Sequence, residues 1–176
     1  MTREAELETN CELVWCKINI KGSKTLHVGA FYRPDISDSV SLGELASSLS
    51  RVPTNHSIVL GGDFNLPGCD WQTCQIKPGT QYQDHHTELF DMTHDFVLTQ
   101  HITDPTRTDP FHGTSNTLDL ILTNRPNSIS STSVLPGISD HDAAQIDLES
   151  NRSELSKNPE KSPCTKKQTG AISRPT

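Results

Sequence analysis

Apolar and polar residues alternate along the chain in a way that predicts several β-strands. Residues 13–20 and 25–32 are two such segments, and the polar turn Lys21-Gly22-Ser23-Lys24 between them favours a β-hairpin. Ser57-Ile58-Val59-Leu60 has three consecutive apolar residues, two of them β-branched, which is typical of a strand buried on both faces. Weaker patterns predict further strands within residues 117–122, 131–135 and 143–148.

Two other segments have the spacing of amphipathic helices. The first, residues 41–51, repeats leucine every three or four positions, and Ser41 with Glu44 has the form of a capping box. The second, residues 85–97, has a periodic apolar face, and Asp84 is a candidate N-cap. Both apolar faces are interpreted as core contacts.

A sharp turn, Gly61-Gly62-Asp63-Phe64-Asn65, follows the central strand. The paired glycines suit a bending backbone, and open α/β sheets commonly bind ligands at the carboxyl ends of their strands. Asp63 could hold a metal ion or a water molecule. Asn65 could donate a hydrogen bond to a phosphate oxygen and accept one from a nucleophile. An ordinary Asx turn is the alternative interpretation.

Two downstream segments carry further candidate chemistry. Asp119 is the single charge inside the apolar run at 117–122, so it needs a hydrogen-bonding partner, for which a histidine is well suited. Asp140 and His141 come just before the candidate strand at 143–148. An imidazole that titrates near neutral pH is the commonest general base in enzymes.

The charge distribution restricts how this chain could bind nucleic acid. Its 176 residues carry a net charge of −7, but residues 1–150 hold 9 Lys and Arg against 20 Asp and Glu, whereas residues 151–176 hold 6 against 2. An acidic body with a net charge of −11 is not typical of a protein that binds nucleic acid by bulk electrostatics. A metal-dependent site is compatible with it, since divalent ions bring their own positive charge to a phosphate.

The chain is long enough for one domain, which divides into three parts. We expect residues 1–12 to be a frayed lead-in, residues 13–149 to form the domain, and residues 150–176 to be a disordered basic tail. Apolar residues make up only 32% of the chain, so the core should be thin. No secretory signal or membrane span is recognisable, and we expect an intracellular protein, nuclear or cytoplasmic, without an obligate protein partner.

Cysteines and histidines offer weaker candidates for metal sites. The five cysteines include no Cys-x-x-Cys pair, and two Cys-x₄-Cys spacings leave a zinc site as the alternative to reduced thiols. The histidines at 85, 86, 94, 101 and 112 include no pair at the i, i+4 spacing, and we interpret them as solvated surface residues.

Four motifs in this order resemble a known family. They are Ala30-Phe31-Tyr32-Arg33-Pro34, Gly62-Asp63-Phe64-Asn65, Thr117-Leu118-Asp119-Leu120-Ile121 and Ser139-Asp140-His141. Over about residues 13–149, the chain resembles the carboxyl-terminal part of an endonuclease/exonuclease/phosphatase domain of the kind carried by non-LTR (LINE-type) retrotransposons. The resemblance implies an α/β fold, a two-sheet β-sandwich flanked by helices of the DNase I-like type.

The resemblance also implies metal-assisted hydrolysis of a phosphodiester in DNA, by nicking. In the implied mechanism, His141 is the general base and Asp119 orients it. Asp63 and Asn65 position a water and a phosphate oxygen. Tyr32 steadies the phosphate and Asp140 lies near a Mg²⁺ or Mn²⁺ ion. Arg107, in the polar loop 103–116, is a candidate contact to the DNA backbone.

One departure from the family tempers these expectations. Complete members begin with a strand bearing an asparagine, followed by a glutamate that is the principal metal ligand, and no counterpart of either is recognisable here. We therefore expect a fold that is incomplete at its amino end and an impaired activity. A catalytically inactive remnant, a phosphate- or nucleic-acid-binding module, and another phosphoesterase branch of the superfamily remain the alternatives.

Overall fold

A computed structural model describes residues 1–109, 111–137 and 139–149. In these ranges, the α-helices are α1 (Ser41–Leu49) and α2 (Gln83–Asp95). The strands are β1 (Thr2–Arg3), β2 (Glu12–Ile18), β3 (Leu26–Tyr32), β4 (Ser57–Asp63), β5 (Cys69–Asp70), β6 (Gln75–Ile76), β7 (Thr99–Gln100), β8 (Arg107–Thr108), β9 (Ser115–Asn116), β10 (Asp119–Thr123), β11 (Ile129–Leu135) and β12 (Ala143–Leu148). Neither helix is long and apolar enough to cross a membrane.

A six-stranded sheet in the order β1-β2-β3-β4-β10-β7 is the centre of the fold. The pair β3–β4 is parallel, and the other neighbours run antiparallel. The β2–β3 hairpin and the central strand β4 lie where the alternating pattern predicts them. Three small two-stranded sheets, β5–β6, β8–β9 and β11–β12, complete the described part of the chain.

The main core lies between one face of this sheet and the two helices. Trp15 and Leu60 from the sheet and Leu45 and Leu89 from the helices are completely buried there. The Trp15 indole Nε1 donates to the Ser48 hydroxyl at 2.8 Å, so its one polar group is satisfied inside the core.

The β11–β12 hairpin packs on the opposite face of the main sheet. Val59, Ile102 and Ile121 form a smaller buried cluster there, and Val134 and Ile146 of the hairpin pack against it. The molecule therefore has three layers: helices, the main sheet and the small sheet. Residues of β4 and β10 with odd numbers face the small sheet, because Val59 and Ile121 do so and side chains alternate along a strand.

Residues 1–12, predicted to be a frayed lead-in, are instead packed on the sheet. Thr2 pairs with Lys17 across the β1–β2 ladder, and Leu7 is buried in the main core. The buried Glu4 carboxylate lies 2.6 Å from Nδ1 of His27, which is itself buried. The prediction was wrong because a segment rich in glutamate looks solvated when its partners, distant in sequence, are not recognised.

Both predicted helices are present, but their caps differ from the predictions. The Asp38 carboxylate accepts hydrogen bonds from the N–H groups of Val40 and Ser41, at 2.8 and 2.9 Å, and so caps α1 in place of Ser41. Helix α2 begins after Tyr82, which has a left-handed backbone conformation (φ 52°), and Asp84 lies within its first turn.

One histidine predicted to be solvated, His86 of α2, is buried. His86 Nε2 accepts a hydrogen bond from the Gly68 N–H at 3.1 Å, and its Nδ1 lies 2.9 Å from the Tyr82 carbonyl oxygen. It therefore ties α2 to the loop that follows the Gly-Asp-Phe-Asn turn. The predicted disordered tail, residues 150–176, lies outside the described residues.

Candidate active site

Three polar side chains form a row across neighbouring strands of the main sheet. Tyr32 is the partner of Asp63 in the parallel β3–β4 ladder, and Asp63 is the partner of Asp119 in the antiparallel β4–β10 ladder. Residues paired in register project from the same face of a sheet. The Tyr32 side chain, 44% exposed, and the two carboxylates are therefore presented together, on the face that also carries the β11–β12 hairpin.

The end of β4 has a backbone geometry that depends on glycine. Gly62 has φ 154°, and a Cβ atom at this position would lie 1.8 Å from the Phe31 carbonyl oxygen. Two residues on, the Phe64 side chain is fully buried and its N–H donates to the Leu118 carbonyl at 2.9 Å. The turn that carries Asp63 is thus fastened to the segment that leads into Asp119.

Asn65 uses its side chain to close this turn. Its backbone has φ 49°, and its N–H donates to Asp63 Oδ1 at 2.9 Å, which is an Asx turn. Its amide Nδ2 donates to the Arg33 carbonyl at 2.7 Å and to the Pro34 carbonyl at 3.4 Å. The amide hydrogens expected to reach a phosphate are directed at the backbone, so a phosphate contact by Asn65 stays a prediction.

His141 and Asp119 are in direct contact, as the isolated charge in the apolar run led us to expect. His141 Nδ1 lies 2.8 Å from Asp119 Oδ2, and about a quarter of each side chain is exposed. A neutral imidazole that donates its Nδ1–H to a carboxylate keeps Nε2 free to accept a proton. This arrangement is chemically suited to a general base whose imidazole is oriented by a carboxylate.

Thr106 links the two halves of this pair, and sequence reasoning missed it. Its buried hydroxyl oxygen accepts hydrogen bonds from the Leu118 and Asp119 N–H groups at 3.0 and 2.9 Å. Its carbonyl accepts one from the Asp142 N–H at 2.6 Å, next to His141. No local pattern marks this threonine, because its hydroxyl contacts residues 12 and 13 positions further along the chain.

Asp63, Asp119 and His141 also lie close enough to hold a cation, and a cation bound to all three would replace the hydrogen bond between His141 and Asp119. One ligand atom from each lies within 4.8 Å of the others, and they are the group of this kind found among the described residues. Burial raises the pKa of Asp63, and the neighbouring Asp119 carboxylate raises it further. A divalent cation would offset that repulsion. Two carboxylates suit Mg²⁺, while the added imidazole is also acceptable to Mn²⁺.

Two other predicted site residues, Arg107 and Asp140, contact each other. Arg107 Nη2 lies 2.9 Å from Asp140 Oδ2 at the edge of the site. Asp140 does not belong to the group formed by Asp63, Asp119 and His141. A metal contact by Asp140 and a DNA contact by Arg107 therefore stay predictions.

Solved structures with the same fold include a retrotransposon endonuclease domain and two proteins of the endonuclease/exonuclease/phosphatase family. The endonuclease domain of TRAS1, a telomere-specific non-LTR retrotransposon, aligns with a TM-score of 0.66 and 16% identity, over 88% of this chain and 69% of that one. An endonuclease/exonuclease/phosphatase family protein from Leptotrichia buccalis C-1013-b aligns with a TM-score of 0.56 and 16% identity, over 78% of this chain and 53% of that one. An endonuclease/exonuclease/phosphatase from Beutenbergia cavernae DSM 12333 aligns with a TM-score of 0.53 and 19% identity, over 77% and 38% respectively. These similarities confirm the predicted DNase I-like α/β fold.

The sequence match is more specific about the family. No curated protein gives a significant match to the chain. Residues 26–144, however, match the family described as endonuclease-reverse transcriptase, and this span includes Tyr32, Asp63, Asp119 and His141. Since the match covers more than half of the sequence, the chain belongs to the endonuclease-reverse transcriptase family.

Proposed function

We propose that this protein is a metal-dependent DNA endonuclease that hydrolyses one phosphodiester bond at a time, producing nicks. The observation that carries the proposal is the convergence of Asp63, Asp119 and His141, with His141 bonded to Asp119 at 2.8 Å. Membership of the endonuclease-reverse transcriptase family supports a nuclease or phosphoesterase activity in general. Within that general activity, we propose that the substrate is DNA and that cleavage requires Mg²⁺ or Mn²⁺.

His141 is the proposed general base. With its Nδ1–H donated to Asp119, the imidazole is held in one tautomer and orientation, and Nε2 takes the proton from the attacking water. Asp119 then stabilises the imidazolium that forms. The hydrogen bonds from Leu118 and Asp119 to Thr106 keep this part of β10 in place, so the pair is arranged before substrate binds.

Asp63 and Tyr32 are the proposed contacts to the reacting phosphate group. Asp63 orients the attacking water or holds the cation, and the Tyr32 hydroxyl steadies a phosphate oxygen from the adjacent strand. A bound divalent ion would supply positive charge for the phosphate that this acidic chain does not itself provide. Because the Asn65 Nδ2 group donates to backbone carbonyls, its proposed substrate role falls to Oδ1, which can accept a hydrogen bond from the attacking water.

A nicking assay tests the proposal. Supercoiled plasmid is incubated with the protein in the presence of Mg²⁺, Mn²⁺ or EDTA, and relaxed circles are quantified. We expect metal-dependent nicking that His141→Ala abolishes while circular dichroism shows an intact fold. His94→Ala is the matched control, because His94 is exposed on α2 and should leave nicking unchanged.

The same experiment separates the alternatives. Full activity of His141→Ala would refute its role as the base. Binding of Mn²⁺ without cleavage of any DNA would instead support a remnant that keeps a cation site. Cleavage of a phosphomonoester or a phospholipid headgroup in preference to plasmid would support another phosphoesterase branch of the superfamily.

A further inference from the structure

Arg107 and Asp140 form an ion pair that lies beside the candidate active site. Arg107 Nη2 is 2.9 Å from Asp140 Oδ2, and the two side chains are 44% and 52% exposed. Asp140 immediately precedes His141 in the chain. Arg107 also pairs directly with His141 through an isolated antiparallel bridge. The Arg107 side chain therefore contacts the loop that carries His141, the proposed general base.

Backbone contacts attach the same loop to the same place. The Asp142 N–H donates to the Thr106 carbonyl at 2.6 Å, and within the loop the Gly137 N–H donates to Asp142 Oδ1 at 3.0 Å. Residues 106 and 107 thus contact the loop on both sides of His141, at Asp142 and at Asp140. Among these attachments, the Arg107–Asp140 pair joins two charged side chains, so its polarity can be reversed by exchanging them.

We propose that Arg107 is a positioning residue, whose guanidinium holds Asp140 and thereby fixes His141 against Asp119. This inference rests on the proposed function only for its catalytic measurement. A half-exposed ion pair contributes little to the stability of a fold. Its effect should instead appear in the placement of His141, since small displacements of a catalytic group cost much of its rate.

The first test removes the pair and then rebuilds it with reversed polarity. Arg107→Ala should lower kcat roughly tenfold, the lower end of what is lost with outer contacts that orient a functional residue, and should leave KM nearly unchanged. Arg107→Asp and Asp140→Arg should each be at least as damaging, because like charges then face each other. The double variant R107D/D140R restores an ion pair and should regain most of the lost kcat.

Reversal of the Arg3–Glu8 ion pair, which lies far from the loop, is the control for charge exchange. Arg3 and Glu8 are joined at 2.7 Å near the start of the chain, next to β2. The Glu8 side chain is only 15% exposed, so R3E/E8R is compared as folded protein, and it should leave kcat and KM unchanged. A loss of kcat in this control would show that reversing an ion pair disturbs the protein in general, and would overturn the assignment to Arg107.

A second measurement does not need catalysis. Hydrogen exchange of the Asp142 N–H and the NMR signals of the His141 imidazole report how firmly the loop is held. Arg107→Ala should accelerate the exchange and broaden the imidazole signals, and R107D/D140R should reverse both changes. If the chain proves to have no nuclease activity, the proposed function fails, yet these signals still decide the role of Arg107.

Three results would overturn the inference. The first is unchanged exchange and imidazole signals in Arg107→Ala. The second is a rise in KM with a weaker salt dependence in that variant and no recovery in the double variant, which would make Arg107 a direct phosphate contact. The third is loss of Mn²⁺ binding in Asp140→Asn but not in Arg107→Ala, which would make Asp140 a metal ligand.

Discussion

Thr106→Val keeps the shape of the side chain but removes the oxygen that accepts two backbone hydrogen bonds. The Leu118 N–H, which is buried, and the Asp119 N–H, which is partly buried, then lose their acceptor. An unsatisfied buried donor costs roughly 1–3 kcal/mol, and partial access to water places Asp119 at the low end, so the free energy of unfolding should fall by about 2–4 kcal/mol. That is a large share of the roughly 5–15 kcal/mol that stabilises a typical domain.

Thermal and urea unfolding measure this effect. For a chain of this size, each kcal/mol shifts Tm by roughly 2–4 °C, so a fall of about 4–16 °C is expected for Thr106→Val. Thr106→Ser is the matched control, because it keeps the hydroxyl and loses one methyl group, which costs about 1 kcal/mol. Nicking by Thr106→Ser should stay close to that of the unmodified protein, whereas Thr106→Val should lose nicking even below its Tm.

Equal destabilisation by the two replacements would contradict this reasoning. It would mean that the hydroxyl contributes no more than its methyl group, and that the Leu118 and Asp119 N–H groups find other acceptors. A destabilised Thr106→Val with full nicking would separate the two roles, leaving Thr106 important for the fold but not for the placement of Asp119.

Three other replacements test the structure at separate points. Asp63→Asn should raise Tm near neutral pH and abolish Mn²⁺ binding. Burial and the Asp119 carboxylate raise the pKa of Asp63 above its unfolded value, so the destabilisation caused by its charge grows as pH rises. The Tm values of the variant and the unmodified protein should therefore converge in acid. Gly62→Ala should prevent folding because its Cβ would lie 1.8 Å from the Phe31 carbonyl oxygen. Gly22 also has a positive φ but open space around it, so Gly22→Ala should cost only about 1–2 kcal/mol. Similar urea midpoints for these two variants would refute the clash at Gly62. Burial lowers the pKa of His27, so stability should fall as pH drops through the usual histidine value of about 6.5, and His27→Gln should reduce that fall in urea titrations.

Local patterns in the sequence were sufficient for most elements of the main sheet. The β2–β3 hairpin and β4 were predictable because alternation and β-branched runs depend on which residues face the core. Asp119 is the informative case at the site. A lone carboxylate in an apolar run must find a partner, and the contact with His141 is the partner that this argument requires.

Contacts between distant segments were not predictable in the same way. Asp38 caps α1 from outside the predicted helix, and Thr106 supports Asp119 from a loop that reads only as polar and proline-rich. Glu4 finds His27 across 23 positions of the chain. In each case a polar residue looks solvated in the sequence, and only the fold decides whether its hydrogen-bonding groups meet protein or water.

The row formed by Tyr32, Asp63 and Asp119 makes the site sensitive to how neighbouring strands are aligned. Side chains alternate with a period of two, so a slip of one residue between β4 and β10 would turn Asp119 toward the helices and away from Asp63. Insertions or deletions of a single residue within these strands should thus eliminate the chemistry outright. Length changes at the tip of the β8–β9 hairpin leave that alignment untouched, so variation among relatives of this chain should concentrate there.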